Sequence, residues 1–175
     1  MINVEIKAVV VRDHADRIRE KLLALPGTTS PGTDHQIDTY FMVPKGRLKL
    51  RQGTIERTLI AYNRPDLTGP KTSKYTLVPV EADAADRLKK ALTVSCGVLA
   101  VVDKKREIYF NGNVKFHLDV VEGLGSFVEI EARDEKEEMR ADQLMAQVHH
   151  YLGLFQITRD ALMADSYSDM ILNTA

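Results

Sequence analysis

Five short stretches of this chain alternate between charged and apolar residues, and in each the charges fall on one side. Glu5 and Lys7 share a side in the first, and Arg47, Lys49 and Arg51 in the second. Lys104 and Arg106 share one in the third, His117 and Asp119 in the fourth, and Glu129 and Glu131 in the fifth. A period of two marks a β-strand, whose successive side chains point to opposite faces. One such strand reads as a solvated outer face with scattered salt bridges, because exposed charges are the norm. Five of them, each apolar on its other face, allow a second arrangement. The sheet can curl into a barrel with helices packed outside and charges turned inward.

The most informative stretch is Asp119–Arg133, two strands joined by a tight Gly123-Leu124-Gly125 turn. Its spacing brings Asp119, Glu129 and Glu131 onto one face. The strand pattern elsewhere places runs at 2–11, 36–43, 47–51, 57–64, 75–80, 98–110, 114–121 and 127–133. Asn111-Gly112-Asn113 is a hairpin turn. Loops are expected at Thr28–Thr33 and Asp66–Thr72. A helix capped by Asp13 runs to about Leu25 and is ended by Pro26-Gly27. A second is capped by Asp83, with Ala84, Ala85, Leu88, Ala91 and Leu92 on its buried side. A third is capped by Asp134, with Glu137 at capping-box spacing, and is stopped by Gly153. Arg159–Asn173 reads as one or two short helices. The sum is an α+β chain, mostly antiparallel.

A chain of 175 residues, 44% of them hydrophobic, can bury a core without staples and reads as one domain, 1–175. Lys and Arg number 24 against 25 Asp and Glu, a net charge of −1, so nothing calls for nucleic acid or an anionic membrane as partner. The single Cys96 excludes an intrachain disulfide and, with no basic neighbour in sequence, reads as structural. The first residues carry Glu5 and Lys7 inside their apolar run, unlike a signal peptide. No apolar run approaches the ~20 residues of a membrane span. A cytoplasmic location is expected.

Carboxylates from several strands suit hard divalent cations, and Arg and Lys suit phosphate oxygens. A face with both is what a metal–polyphosphate complex needs. His117 shares its face with Asp119 and reads first as a hydrogen-bonded interior histidine. His149 and His150 read as surface or packing residues, and His14 and His35 carry no assignment.

The ordered motifs go further. They are Glu5-Ile6-Lys7, preceded by Asn3; Asp38-Thr39-Tyr40-Phe41; Leu48-Lys49-Leu50-Arg51; Gly69-Pro70-Lys71; and Lys104 to Tyr109. Asp119, the run Gly123-Leu124-Gly125-Ser126-Phe127-Val128-Glu129-Ile130-Glu131 and Ser166-Tyr167-Ser168-Asp169 complete the set. Together they resemble the CYTH superfamily, the triphosphate tunnel metalloenzymes, and within it the branch of class IV adenylyl cyclases. That resemblance implies an eight-stranded antiparallel closed β-barrel enclosing a tunnel. It implies Mg²⁺ or Mn²⁺ held by Glu5, Glu129 and Glu131 with Asp119 beside them. It implies a nucleoside triphosphate or tripolyphosphate held by Lys7, Arg51, Lys104 and Arg106. Lys49, on the side of Arg51, and Arg64 and Lys71 are further phosphate-binding positions. Lys7, Arg106 and Glu129 are the expected catalytic residues, Tyr40 either contacts substrate or packs, and a homodimer is a reasonable assembly. Asn3 stands where the family's first strand has a glutamate, so it can offer a carbonyl oxygen but no charge.

Three readings follow. A class IV cyclase-like enzyme would convert ATP to cyclic AMP and pyrophosphate. A triphosphatase would direct water at the triphosphate instead. A binding module would hold a phosphorylated ligand without turnover.

Overall fold

The computed structural model describes residues 2–63, 71–134 and 138–174. Within them the chain is α+β, with eight antiparallel strands curled around a common lumen and four helices. The strands are β1 (Ile2–Val9), β2 (Thr29–Phe41), β3 (Arg47–Gln52), β4 (Arg57–Asn63), β5 (Lys71–Pro79), β6 (Val98–Asn111), β7 (Val114–Val121) and β8 (Gly125–Asp134). The helices are α1 (Arg12–Ala24), α2 (Ala82–Cys96), α3 (Ala141–Leu154) and α4 (Tyr167–Thr174), with a 3-10 turn at Arg159–Ala161.

The sheet runs β5-β4-β3-β2-β6-β7-β8, and β1 meets both ends of that order. It pairs with β8 over eight residues, from Ile2 opposite Asp134 to Val9 opposite Phe127. Among the described residues it also pairs with β5, from Ile2 opposite Lys74 to Glu5 opposite Lys71.

The apolar core lies outside this sheet. Val4, Ile6 and Ala8 of β1, Val114, Phe116 and Leu118 of β7, and Val128, Ile130 and Ala132 of β8 are all buried in it. Ile18 and Leu22 of α1 and Leu144, Val148 and Leu152 of α3 cover them. Because alternate residues must then face the other way, Asn3, Glu5, Lys7, Lys115, His117, Asp119, Glu129 and Glu131 turn toward the lumen. A second cluster closes one end. Tyr40, Val102, Val121 and Phe127 share the lumen-facing parity of their strands, and Tyr167 of α4 packs on them.

Several boundaries differ from the sequence expectation. The Thr28–Thr33 stretch is not a loop, because β2 starts at Thr29 and pairs with β6. Its register shifts between Thr29 and Gly32, and that irregularity accommodates Pro31, which lacks an amide donor, and Gly32 at φ 110°. Lys71 and Thr72 belong to β5, not to a loop. Asp13 and Asp83 are not caps. The helices start two residues earlier, with Val11 and Glu81 at the cap positions, and both aspartates lie in the first turn, where a carboxylate favours the helix dipole. The face predicted for α2 is barely covered. Ala85 alone is fully buried, Ala91 is exposed, and Val94 is 81% exposed. Asp134 ends β8 and accepts the amides of Glu138 and Met139, whereas α3 begins at Ala141. The amide of Arg140 is taken by Gln143 Oε1 at 2.9 Å; Glu137 lies outside the described residues. Gly153 stays inside α3, and the left-handed residue beyond it is Gln156 at φ 56°.

Candidate functional site

The lumen is a cavity of about 400 Å³. Of the residues expected to form a site, Glu5, Lys7, Lys49, Arg51, Lys104, Arg106, Glu129 and Glu131 line it. Asp119 does not; it lies behind Arg106, 1% exposed. Arg64 is outside the described residues, and of Lys71 only the backbone, opposite Glu5, is described.

The charges are interleaved, not divided into an acidic and a basic wall. Arg106 comes from β6, between the acids of β7 and β8. Its Nε and Nη2 donate to the two carboxylate oxygens of Asp119 at 2.7 and 2.5 Å, and Nη2 also reaches Glu129 Oε2 at 2.6 Å. Such a bidentate pair is among the strongest charge-assisted contacts. Glu129 Oε2 lies 3.1 Å from His117 Nδ1, and Glu129 Oε1 lies 3.4 Å from Lys7 Nζ. Tyr167 closes this group from α4. Its hydroxyl donates to Asp119 Oδ2 at 2.7 Å, and the Lys7 ammonium stands 3.7 Å over its ring. Burial raises the Glu129 carboxyl, but Arg106 and Lys7 outweigh it and hold it well below the usual range. Burial lowers Lys7, with Glu129 and Asp119 opposing. It also brings His117 down to about 4, helped by Arg106 and Lys115, so the imidazole is neutral near pH 7. Its Nε2 is buried with no hydrogen-bond partner.

A second group centres on Asp38 of β2. Its carboxylate accepts Lys49 Nζ at 2.9 Å, Arg51 Nε and Nη2 at 2.9 and 3.0 Å, and Lys104 Nζ at 2.7 Å. Three cations from two flanking strands thus converge on one 1%-exposed carboxylate. Burial drops the Lys104 ammonium to about 7, although Asp38 pulls it back up.

Sequence reasoning assigned no role to Asp38 and missed a third group altogether. Glu56, in the β3–β4 turn, accepts Arg51 Nη1 at 2.9 Å and Gln36 Nε2 at 3.0 Å and is paired with Lys115. Asp34 pins that turn by accepting the amides of Thr54, Ile55 and Glu56 at 2.7 to 3.0 Å. Gly53 is required there, since a Cβ would meet Asp34 Oδ2 at 2.4 Å. Lys115 was readable, two residues before His117 on one face. Glu56 lies in a turn and had no periodic signal.

On β1, Asn3 Nδ2 donates to Glu131 Oε1 at 2.6 Å, and Glu131 lies directly across from Glu5. Among the described residues no three His, Cys, Asp or Glu side chains converge as a metal cage. The buried Asn3 Oδ1 has no partner, however, and with the carboxylates of Glu5 and Glu131 it makes a set of oxygen donors that suits a hard divalent cation.

The chain belongs to the CYTH domain family, which matches residues 1–161. None of the curated proteins matches it. Solved structures do. The protein PH1012 of Pyrococcus horikoshii OT3 is 22% identical, with 95% of this chain and 98% of that one covered and a TM-score of 0.71. A candidate adenylate cyclase of Vibrio parahaemolyticus is 17% identical, with 98% of both chains covered and a TM-score of 0.67. HpAC1 of Hippeastrum, named for adenylyl cyclase and described with a dominant triphosphatase activity, is 12% identical, with 98% and 93% covered and a TM-score of 0.65. At these identities the likeness is one of fold.

Proposed function

We propose that this chain is a metal-dependent enzyme acting on a triphosphate inside its lumen, first as a class IV adenylyl cyclase-like enzyme. One observation carries the triphosphate reading. Among the described residues eight cationic side chains line the cavity against five anionic ones, and Lys7, Lys49, Arg51, Lys104 and Arg106 each pair with a carboxylate. A polyanion can replace those carboxylates as the partner of Lys7, Lys49, Arg51, Lys104 and Arg106. Lys71, opposite Glu5, and Arg64 are further candidates for the same role. The pairing order, in which β8 returns to β1 and β1 to β5, supports a closed tunnel within a single domain. The contact of Tyr167 with Asp119 and Lys7 ties the Ser-Tyr-x-Asp element to the acid–base group and supports the cyclase-like branch.

Glu5, Glu131 and the Asn3 carbonyl, with Glu129 beside them, would hold Mg²⁺ or Mn²⁺. Bound there, the metal supplies neutralising charge to phosphate oxygens. Asp119 acts behind them, keeping Arg106 oriented. Arg106 and Lys7 face the leaving phosphates, while burial keeps water from weakening both. In the cyclase the ribose 3′ oxygen bonds to the α-phosphorus as pyrophosphate leaves. In the alternative, supported by the likeness to HpAC1, water is the nucleophile and orthophosphate is released.

Incubation with Mg²⁺ or Mn²⁺ and either ATP or tripolyphosphate separates the readings. Cyclic AMP marks the cyclase, and orthophosphate without it marks the hydrolase. Tight binding with neither product would sink both and leave a binding module. Glu129→Ala is expected to abolish turnover.

A further inference from the structure

Among the described side chains, six strands turn charges into the lumen, whereas the inward positions of β4, and of β5 from Tyr75 onward, do not. Thr58, Ile60 and Tyr62 alternate inward on β4, and Tyr75 and Leu77 on β5. The register sets Ile60 opposite Leu77 and Tyr62 opposite Tyr75, so the four form one patch. Arg57, at the start of β4, reaches the cavity mouth, where its guanidinium donates to Gly53 O at 2.9 Å. No inward position of β4, or of β5 from Tyr75 onward, carries a charge.

This patch lines the same cavity as the phosphate-binding cations and is incompletely covered. Leu77 is 39% exposed inside it, and Ile60, Tyr62 and Tyr75 are half-buried. An inorganic polyphosphate would satisfy the cations and leave this apolar surface against water, which is unfavourable. A ligand with an uncharged organic group on the phosphate chain would cover it. Tyrosine offers such a group both a ring face and a hydroxyl, which suits a flat group with apolar faces and polar edges.

We infer that the β4–β5 wall is a subsite for the organic part of a nucleoside-type triphosphate, and that it makes the site prefer such a ligand over inorganic tripolyphosphate. This rests on the triphosphate reading above. It assigns Ile60, Tyr62, Tyr75 and Leu77 to ligand selection, apart from the charged residues that hold phosphate.

The test is equilibrium binding of ATP and of tripolyphosphate to the full chain, without added metal so that neither is turned over. Leu77→Ala is expected to weaken ATP roughly tenfold, the scale of losing one buried aliphatic side chain. Tripolyphosphate should stay within about twofold by the same argument. Leu77 is partly exposed, so the variant should fold; Ile60→Thr, on the opposite strand, should reproduce the selective loss. Equal losses for both ligands, or no loss for either, would overturn the subsite and leave the triphosphate reading standing. Failure of both ligands to bind the unmodified chain would overturn the triphosphate reading and the subsite with it.

Discussion

Asp38→Asn is the most demanding perturbation of this lumen. The change keeps size and shape but removes the charge that Lys49, Arg51 and Lys104 share. Those side chains are 12%, 9% and 0% exposed, so water cannot replace the lost partner. Removing one member of a buried ion pair costs about 3–5 kcal/mol. In a chain of this size that corresponds to a melting temperature lower by roughly 6–20 °C. The loss should depend on pH. Lys104 titrates at about 7 even with Asp38 beside it, so in the variant it sheds its proton more readily, whereas Arg51 cannot. The deficit should therefore be larger at pH 6 than at pH 8. Tripolyphosphate should raise the melting temperature of the variant more than that of the parent, because it supplies the missing anion. Denaturant unfolding at the two pH values, with and without tripolyphosphate, measures all three effects. A variant within about 1 kcal/mol of the parent at pH 6 would refute the reasoning, since that is the scale of an exposed pair.

Glu56→Gln frees Arg51 and Lys115 from an internal carboxylate, so it should tighten tripolyphosphate binding several-fold while lowering the ligand-free melting temperature. Weaker binding would show that Glu56 organises the cations instead of competing with the ligand. Lys104 should link binding to protons. Its folded pKa lies below its ordinary value, so this group adds stability as pH rises from about 7 toward 10.5. A bound polyanion favours the ammonium, and calorimetry at pH 8 in buffers of different ionisation enthalpy should show proton uptake that is absent in Lys104→Met. Asn3→Glu exchanges the amide bond to Glu131 for a third carboxylate beside Glu5. Its melting temperature should fall in chelator and rise with Mn²⁺ by more than the parent's, and its turnover should exceed the parent's. No metal-dependent shift would mean that these residues do not hold the cation.

The inward set was legible wherever strands alternate. Local turns also carried part of its pairing. The hairpin at Gly112 places Arg106 opposite Asp119, and the Gly123 turn places His117 opposite Glu129. The interleaving of Arg106 between two acids is thus encoded within thirty or so residues. What pattern could not supply is contact between distant strands. Glu5 faces Glu131, and Asp38 collects cations from β3 and β6, because of a strand order that no periodicity reports. Glu56 was invisible for another reason, since its position depends on amides gathered by Asp34 and not on a repeating face. The starts of α1 and α2 were misplaced by two residues because aspartate serves a first turn about as well as a cap.

The packing of α1 and α3 behind β1, β7 and β8 bears on how the lumen breathes. The outer side of the β4–β5 pair is thinly covered among the described residues, with Ala61 and Thr76 exposed and Val78 48% exposed. Opening events should therefore cost less free energy at β4–β5 than at β7–β8. Amide protons on β4 and the second half of β5 would then exchange with solvent through motions that leave β7 and β8 protected. The same fluctuation would part the sheet beside Tyr62 and Tyr75, so a ligand could enter through the side of the sheet as well as along its axis.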